Sequence, residues 1–263
     1  MITSKVGWEA ARKLIERHTG PIRAGEPISE GRNSEISLIV HTDTGALFVK
    51  GRQVSHPQSW TQKRERAINP SVCHISPRLK WSASDHDWEL LAFEHISGHH
   101  ADYSPGSPDI PKIVEMMLAL QQVTCPDIEL KQAEERWAAY SSVSELFAGT
   151  SLLHTEWSPG NVLVNDRAYL VDWAWPTKGA SWIDPSCWAV WLIACGHSPG
   201  TAESWAARIP SWKSAPIAAL DEFALVQARM WYDIAAESAE SWKQNLARAA
   251  RQWTAHREGL ARH

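Results

Sequence analysis

The chain has 263 residues, 44% hydrophobic and 21% charged, enough apolar surface for one large domain or two lobes, which excludes a disordered protein. A net charge of −4 and a pI near 6.3 leave no basic excess, so neither nucleic acid nor a membrane is expected as a partner. The first twenty residues scatter their charges, no apolar run approaches a membrane span, and Cys73, Cys125, Cys187 and Cys195 are widely spaced, the pattern of reduced thiols in a cytoplasmic protein.

Residues 4–19 read as an amphipathic helix, with Trp8, Ala11 and Ile15 at helical spacing and Gly20-Pro21 as its stop. Residues 22–54 read as three strands. The segment 36–41 alternates, so Ile36, Leu38 and Val40 share a face, and the turn Thr42-Asp43-Thr44-Gly45 leads into the next strand. The strand–loop–strand around Gly31 is either a plain hairpin turn or a loop over a nucleotide, with backbone N–H groups at Gly31, Asn33 and Ser34 aimed at phosphates. Lys50 lies within the third strand, after the apolar Leu47-Phe48-Val49. Residues 59–69 read as a helix with Ser59 as N-cap, Gln62 as its capping-box partner and Pro70 as its end. Glu65 lies inside that helix among Lys63, Arg64 and Arg66.

Two further strands, 78–82 and 88–95, flank a polar turn, and the second runs into Glu94-His95-Ile96. His95, His99 and His100 lack a fourth metal ligand and read as polar linker residues. A loop at 101–107 precedes a helix at 108–123 with an apolar, core-facing stripe, and a second helix is expected at about 128–148. Residues 185–195 are almost wholly apolar and read as a buried helix; residues 200–263 read as a helical cap rich in Ala and Trp. Sixteen tryptophans imply large aromatic contacts in the core.

The stretch 152–173 carries the chemistry. Two short apolar runs, 161–164 and 167–173, flank Asn165-Asp166, a pair suited to a two-residue hairpin turn. With that turn, Val164 faces Arg167 and Asn161 faces Leu170, and alternation puts Asp172 on the same face as Asn161. An amide oxygen and a carboxylate that converge in this way suit a hard cation such as Mg²⁺. The loop His154-Thr155-Glu156-Trp157-Ser158-Pro159-Gly160 lies just upstream and is placed to present Glu156 to whatever the metal holds.

The run His154-x-Glu156-x-x-x-x-Asn161, followed by Asp172 at a strand end, resembles the catalytic and metal-binding segments of kinase-fold phosphotransferases. The wording Ser-Pro-Gly-Asn-Val-Leu-Val is most similar to the aminoglycoside phosphotransferase and choline kinase superfamily. The resemblance covers most of the chain. It is greatest over 152–185, less over 46–98, and only a matter of helical content after 200.

The resemblance implies an α+β, bilobal protein-kinase-like fold with a small antiparallel-sheet N-lobe at 1–97 and a mostly helical C-lobe at 98–263. It implies ATP, with GTP left open, and Mg²⁺ as cofactors. Lys50 would clamp the α- and β-phosphates and Glu65 would orient it, while the backbone of Glu94, His95 and Ile96 would meet the adenine edge. Asn161 and Asp172 would hold Mg²⁺, His154 would brace the loop, and Glu156 would accept a hydrogen bond from the acceptor hydroxyl. Asp184-Pro185 would open a helix, with Asp184 as N-cap and Pro185 at N1, and brace the catalytic loop.

There is one departure: the family has Asp where this chain has Glu156. The extra methylene moves the carboxylate by about 1 Å, and a misplacement of that order can cost roughly 10²-fold in rate. Two functions follow. One is an ATP-dependent phosphotransferase acting on a hydroxyl of a small molecule, of antibiotic-resistance or biosynthetic type. The other is an impaired pseudokinase that binds nucleotide, a peptide or a partner protein without turnover.

Overall fold

The computed structural model of the chain describes residues 5–28 and 34–260. The chain is α+β and divides into two units, Met1–Gly98 with Leu170–Ala174, and His99–Tyr169 with Trp175–His263.

The first unit opens with helix α1 (Lys5–Thr19) and continues through strands β1 (Ala24–Pro27), β2 (Ile36–Thr42) and β3 (Gly45–Gln53), helix α2 (Trp60–Val72), and strands β4 (Leu79–Ser84) and β5 (Trp88–Glu94). The five strands form one antiparallel sheet in the order β1-β2-β3-β5-β4. The alternation at Ile36, Leu38 and Val40 does set the face: all three are buried, against Ala11, Leu14 and Ile15 of α1. Each such side chain contributes about 1.5–3 kcal/mol on leaving water, so this seam holds helix to sheet. Gly51 lets β3 and β5 approach, since a Cβ there would collide with the Leu90 side chain and the Glu89 carbonyl.

Helix α2 departs from the sequence expectation at both ends. Ser59 is helical itself and makes no side-chain cap, and Gln62 is buried, not turned back toward the helix start. Pro70 lies inside the helix, not at its end. The buried Asn69 accounts for this: its Nδ2 donates to the Pro77 carbonyl and its Oδ1 accepts the Leu79 N–H, both at 2.8 Å. Together with the buried Ile68 and Val72, these bonds hold the last turn helical across a residue with no donor.

The second unit contains β6 (His99–His100), α3 (Asp109–Leu120), β7 (Lys131–Gln132), α4 (Ala133–Arg136), β8 (Ser151–Leu153), β9 (Val162–Val164), β10 (Ala168–Leu170), β11 (Thr177–Gly179), α5 (Ile183–Ala194), α6 (Pro199–Ala206), α7 (Pro210–Lys213), α8 (Ile217–Ala236) and α9 (Ser241–Leu260). Its strands form two small sheets, β10-β9-β6 and β7-β11-β8. Trp137, Phe147 and Trp182 meet Phe223 of α8 edge-on, with ring centroids 5.0, 5.3 and 5.6 Å away, which is where part of the tryptophan excess goes. Among the described residues, no helix is long and apolar enough to cross a membrane.

The helix expected at 128–148 does not form. The segment is instead β7, the single turn α4 and two short 3₁₀ turns, Ala138–Tyr140 and Ser144–Phe147. Ser141 breaks the run: its hydroxyl accepts the Val143 N–H at 3.1 Å and donates to Glu222 at 2.6 Å. Trp137 and Phe147 then turn into the aromatic cluster. Gly149 closes against the Gly179 backbone, where any Cβ would collide.

The central hairpin also differs from its expected turn and strand lengths. Three residues, 165–167, connect the strands, with Asn165 Oδ1 accepting the Arg167 N–H at 3.3 Å. The strands are only three residues each. Asn161 closes the 3₁₀ turn Pro159–Asn161 before β9, and Asp172 lies beyond β10. The face argument that joined Asn161 to Asp172 therefore fails, because neither residue lies in a strand.

Candidate active site

In the first unit, helical spacing turns Gln62, Glu65, Asn69 and Val72 of α2 inward as one buried face. Glu65 thereby reaches Lys50 of β3, with Nζ–Oε2 at 2.6 Å. The same Nζ donates to Asp172 Oδ1 at 2.9 Å. Lys50 is only 6% exposed. Burial alone would push its pKa down, but Asp172 and Glu65 outweigh burial and hold it above its ordinary value, so it stays an ammonium.

Asp172 is carried by a pinned segment. The Leu170 N–H donates to the Ile75 carbonyl at 2.8 Å. The Ser76 hydroxyl donates to the Leu170 carbonyl and accepts the Trp173 indole N–H, each at 2.7 Å. Asp172 itself has φ 64°. The left-handed region costs a side-chain-bearing residue energy, least for Asp and Asn, so a bond network of this kind is what holds it.

Ser34 is half-buried at the start of the strand pair, whereas Gly31 and Asn33 lie outside the described residues. Glu94 ends β5, and its carboxylate accepts the Arg78 N–H at 3.0 Å, so the side chain serves the β4 edge. His95 and Ile96 follow it, half-buried. His99 Nε2 pairs with Asp109 Oδ2 at 2.9 Å, and no group of three or more His, Cys, Asp or Glu able to hold a metal occurs among the described residues.

In the second unit, the loop after β8 is organised by Asp184, which is fully buried in the first turn of α5. Its Oδ2 accepts the His154 N–H at 2.9 Å and its Oδ1 the Thr155 N–H at 2.8 Å. Contrary to the sequence expectation, Asp184 does not cap its own helix; Trp182 holds the N-cap position. The carboxylate is inside the helix, and two buried loop amides, which have no water to bond, take both oxygens. Burial pushes the Asp184 carboxyl up to about 6, against these N–H groups, the Trp157 indole and the Arg136 cation.

Thr155 adopts φ 71°, so it and Asp172 are the two side-chain-bearing residues with left-handed φ among the described residues. Both fall in the predicted site, where backbone strain is expected to concentrate. His154 is buried, and its Nδ1 accepts the Glu156 N–H at 3.3 Å. Asn161 Nδ2 donates to the Glu156 carbonyl at 3.0 Å, which turns Oδ1 of the amide the other way. Arg136 donates to the Trp175 carbonyl and to Thr177 Oγ1. Burial lowers its pKa, and the field of Glu156 opposes that most.

Two cations are missing from the sequence reading. Arg52, 4% exposed, follows Lys50 by two residues on the same strand and could have been found from alternation alone. Arg136 lies in the stretch misread as a long helix, where it looks like one more surface charge.

No family model matches the sequence, and no curated protein matches it. Solved structures do. Choline kinase LicA from Streptococcus pneumoniae superposes with a TM-score of 0.67 at 11% identity, over 94% of this chain and 99% of that one. Macrolide 2'-phosphotransferase type I gives 0.60 at 15% identity, over 96% and 98%. Aminoglycoside phosphotransferase APH(4)-Ia gives 0.60 at 12% identity, over 95% and 99%. LicA has also been solved in complex with AMP, and a thermostable mutant of APH(4)-Ia in a ternary complex with AMP-PNP and hygromycin B. The chain thus has the kinase-like fold of these small-molecule phosphotransferases, an antiparallel sheet in its N-terminal part and helices in its C-terminal part.

Proposed function

We propose that this chain is a phosphotransferase that moves the γ-phosphate of ATP to a hydroxyl of a small molecule. The buried Lys50–Glu65–Asp172 group supports this reading most. An ammonium kept charged away from water, aimed by a glutamate, is a ready partner for phosphate oxygens. The nucleotide and antibiotic complexes of proteins with this fold add support for a nucleotide donor and a small-molecule acceptor.

In this reading Lys50 holds the α- and β-phosphates and Glu65 keeps Nζ in place. The backbone of Glu94, His95 and Ile96 meets the adenine edge, or the guanine edge if GTP serves, and the backbone N–H of Ser34 is assigned to the phosphates. Asp172 and Asn161 are the residues we assign to Mg²⁺. The donor set fits: a carboxylate and an amide oxygen are hard donors, and the Asn161 amide nitrogen is already committed to the Glu156 carbonyl. Bound Mg²⁺ would neutralise charge on the phosphates. Glu156 accepts a hydrogen bond from the acceptor hydroxyl and orients it for in-line attack, with His154 and Asp184 holding the loop that carries it.

Glu156 itself favours a second reading, a protein that binds nucleotide without turnover, because its carboxylate is one methylene longer than the motif implies. Transfer from labelled ATP to a panel of small hydroxyl compounds, with Glu156→Ala and Glu156→Asp alongside, separates the two. Wild type is expected to transfer, and Glu156→Ala to abolish transfer while leaving Mg·ATP affinity nearly intact. Unchanged product in the alanine variant would remove Glu156 from the mechanism. Nucleotide binding with no transfer by wild type to any acceptor would favour the second reading.

A further inference from the structure

Lys50 is not the only buried cation on β3. Side chains alternate along a strand, so Arg52 lies on the Lys50 face. The protein partners of its guanidinium include no carboxylate. Nη1 donates to His56 Nδ1 at 2.8 Å and to Gln58 Oε1 at 3.1 Å. The same ring nitrogen accepts the Gln58 N–H at 3.0 Å, so the turn after β3 is built around this guanidinium. Its Nε is buried and has no hydrogen-bond partner.

Arg52 forms no ion pair among the described residues. Glu89 stands opposite it in the β3–β5 register, yet the fields acting on Glu89 are those of Lys63 and Arg66. The anions whose fields reach Arg52 are Asp172 and Glu35, and Glu35 Oε2 already accepts the Gln53 N–H at 2.7 Å. A buried guanidinium without a contacting anion is an unfavourable arrangement in a resting protein. It is a favourable one in a protein that receives an anion. A planar guanidinium fork takes two phosphate oxygens at once, which the point charge of Lys50 cannot do.

We infer that Arg52 is a second phosphate clamp beside Lys50, contacting the terminal phosphates of a nucleoside triphosphate. The inference rests on the phosphotransferase reading above and adds to it a residue that distinguishes triphosphate from monophosphate.

The test is calorimetric titration of AMP, ADP and ATP, each with Mg²⁺, into wild type, Arg52→Gln and Arg52→Lys, with melting curves as the folding control. Loss of a charge-assisted contact predicts that Arg52→Gln weakens ATP by about 10- to 100-fold and leaves AMP unchanged. Arg52→Lys is expected to recover part of that loss. Equal weakening of AMP and ATP, or unchanged ATP affinity, overturns the inference while wild-type binding leaves the phosphotransferase reading standing. If Arg52→Gln does not fold, Arg52→Lys decides by the same contrast between ATP and AMP. No nucleotide binding by wild type overturns both.

Discussion

In the first unit, Lys50, Glu65 and Asp172 meet through their charged side chains. In the second, both carboxylate oxygens of Asp184 accept backbone N–H groups, those of His154 and Thr155. Both arrangements bury charge, but for different ends. A side-chain cluster can exchange partners, since an incoming phosphate can replace a carboxylate at an ammonium without moving the backbone. A carboxylate bonded to backbone fixes the course of a loop and so the aim of whatever side chain the loop carries. Damage to the first should therefore appear in nucleotide affinity, and damage to the second in turnover.

The largest expected effect tests the first half of that contrast. Lys50→Met leaves Glu65 and Asp172 without their shared cation, and removing one partner of a buried ion pair costs about 3–5 kcal/mol. Urea unfolding should show a loss of that size, with ATP binding abolished. A variant as stable as wild type would mean that the cluster is not held together by this charge.

Asp184→Ala tests the second half. It orphans two buried N–H groups, at about 1–3 kcal/mol each. Stability should fall by about 2–6 kcal/mol and transfer should be lost, with Mg·ATP affinity kept within a few-fold. A parallel collapse of nucleotide affinity would erase the distinction between the two regions.

Ser76→Ala is smaller. It removes the hydroxyl that joins the Leu170 carbonyl to the Trp173 indole, at about 1–2 kcal/mol for two neutral bonds. Thermal unfolding should register that loss, and the Mg²⁺ dependence of nucleotide binding should weaken as Asp172 loosens. Unaltered Mg²⁺ dependence would mean that the segment is held elsewhere.

The smallest effect on transfer is in pH. The Asp184 carboxyl titrates near 6 when folded, above its ordinary 3.8, because burial disfavours the anion. The folded chain therefore binds this proton more tightly than the unfolded one. As pH falls from 6 toward 4, the group adds up to about 3 kcal/mol of stability; as pH rises through 6, that contribution is lost. Protonation nonetheless turns one acceptor oxygen into a hydroxyl and releases one loop N–H. Transfer should fall a few-fold below about pH 6 with no matching fall in Tm, and Asp184→Asn should flatten that limb. A rate that declines only in step with melting would point to general acid unfolding.

Much of this was legible in the sequence, for local reasons. Lys50 stands out as a charge in an apolar strand, and Glu65 as the carboxylate one helix away. The 154–172 motif is readable because its residue types are chemically specific at fixed spacing. What was not legible depends on contacts far apart in the chain. The face argument at the hairpin failed because Asn165 bonds its own three-residue loop and the strands are short, so alternation never extended to Asn161 or Asp172. The helix expected at 128–148 lost to a Ser141–Glu222 bond and to a Phe223 cluster some eighty residues away. Pro70 looked like a stop because the Asn69 bonds that carry the helix past it reach to strand β4 and its approach. Arg52 was readable and overlooked, whereas the burial of Arg136 has no signature in a run of charged residues.

The proposed function requires that the buried cations of β3 bind nucleotide together with a metal ion. Calorimetric titration of Mg·ATP into wild type, repeated in EDTA, tests it most directly. Saturable binding that EDTA abolishes or weakens strongly is the expected result. No detectable binding at millimolar nucleotide would contradict the account, leaving a kinase-like fold without a nucleotide; equal binding with and without EDTA would contradict the metal roles of Asn161 and Asp172.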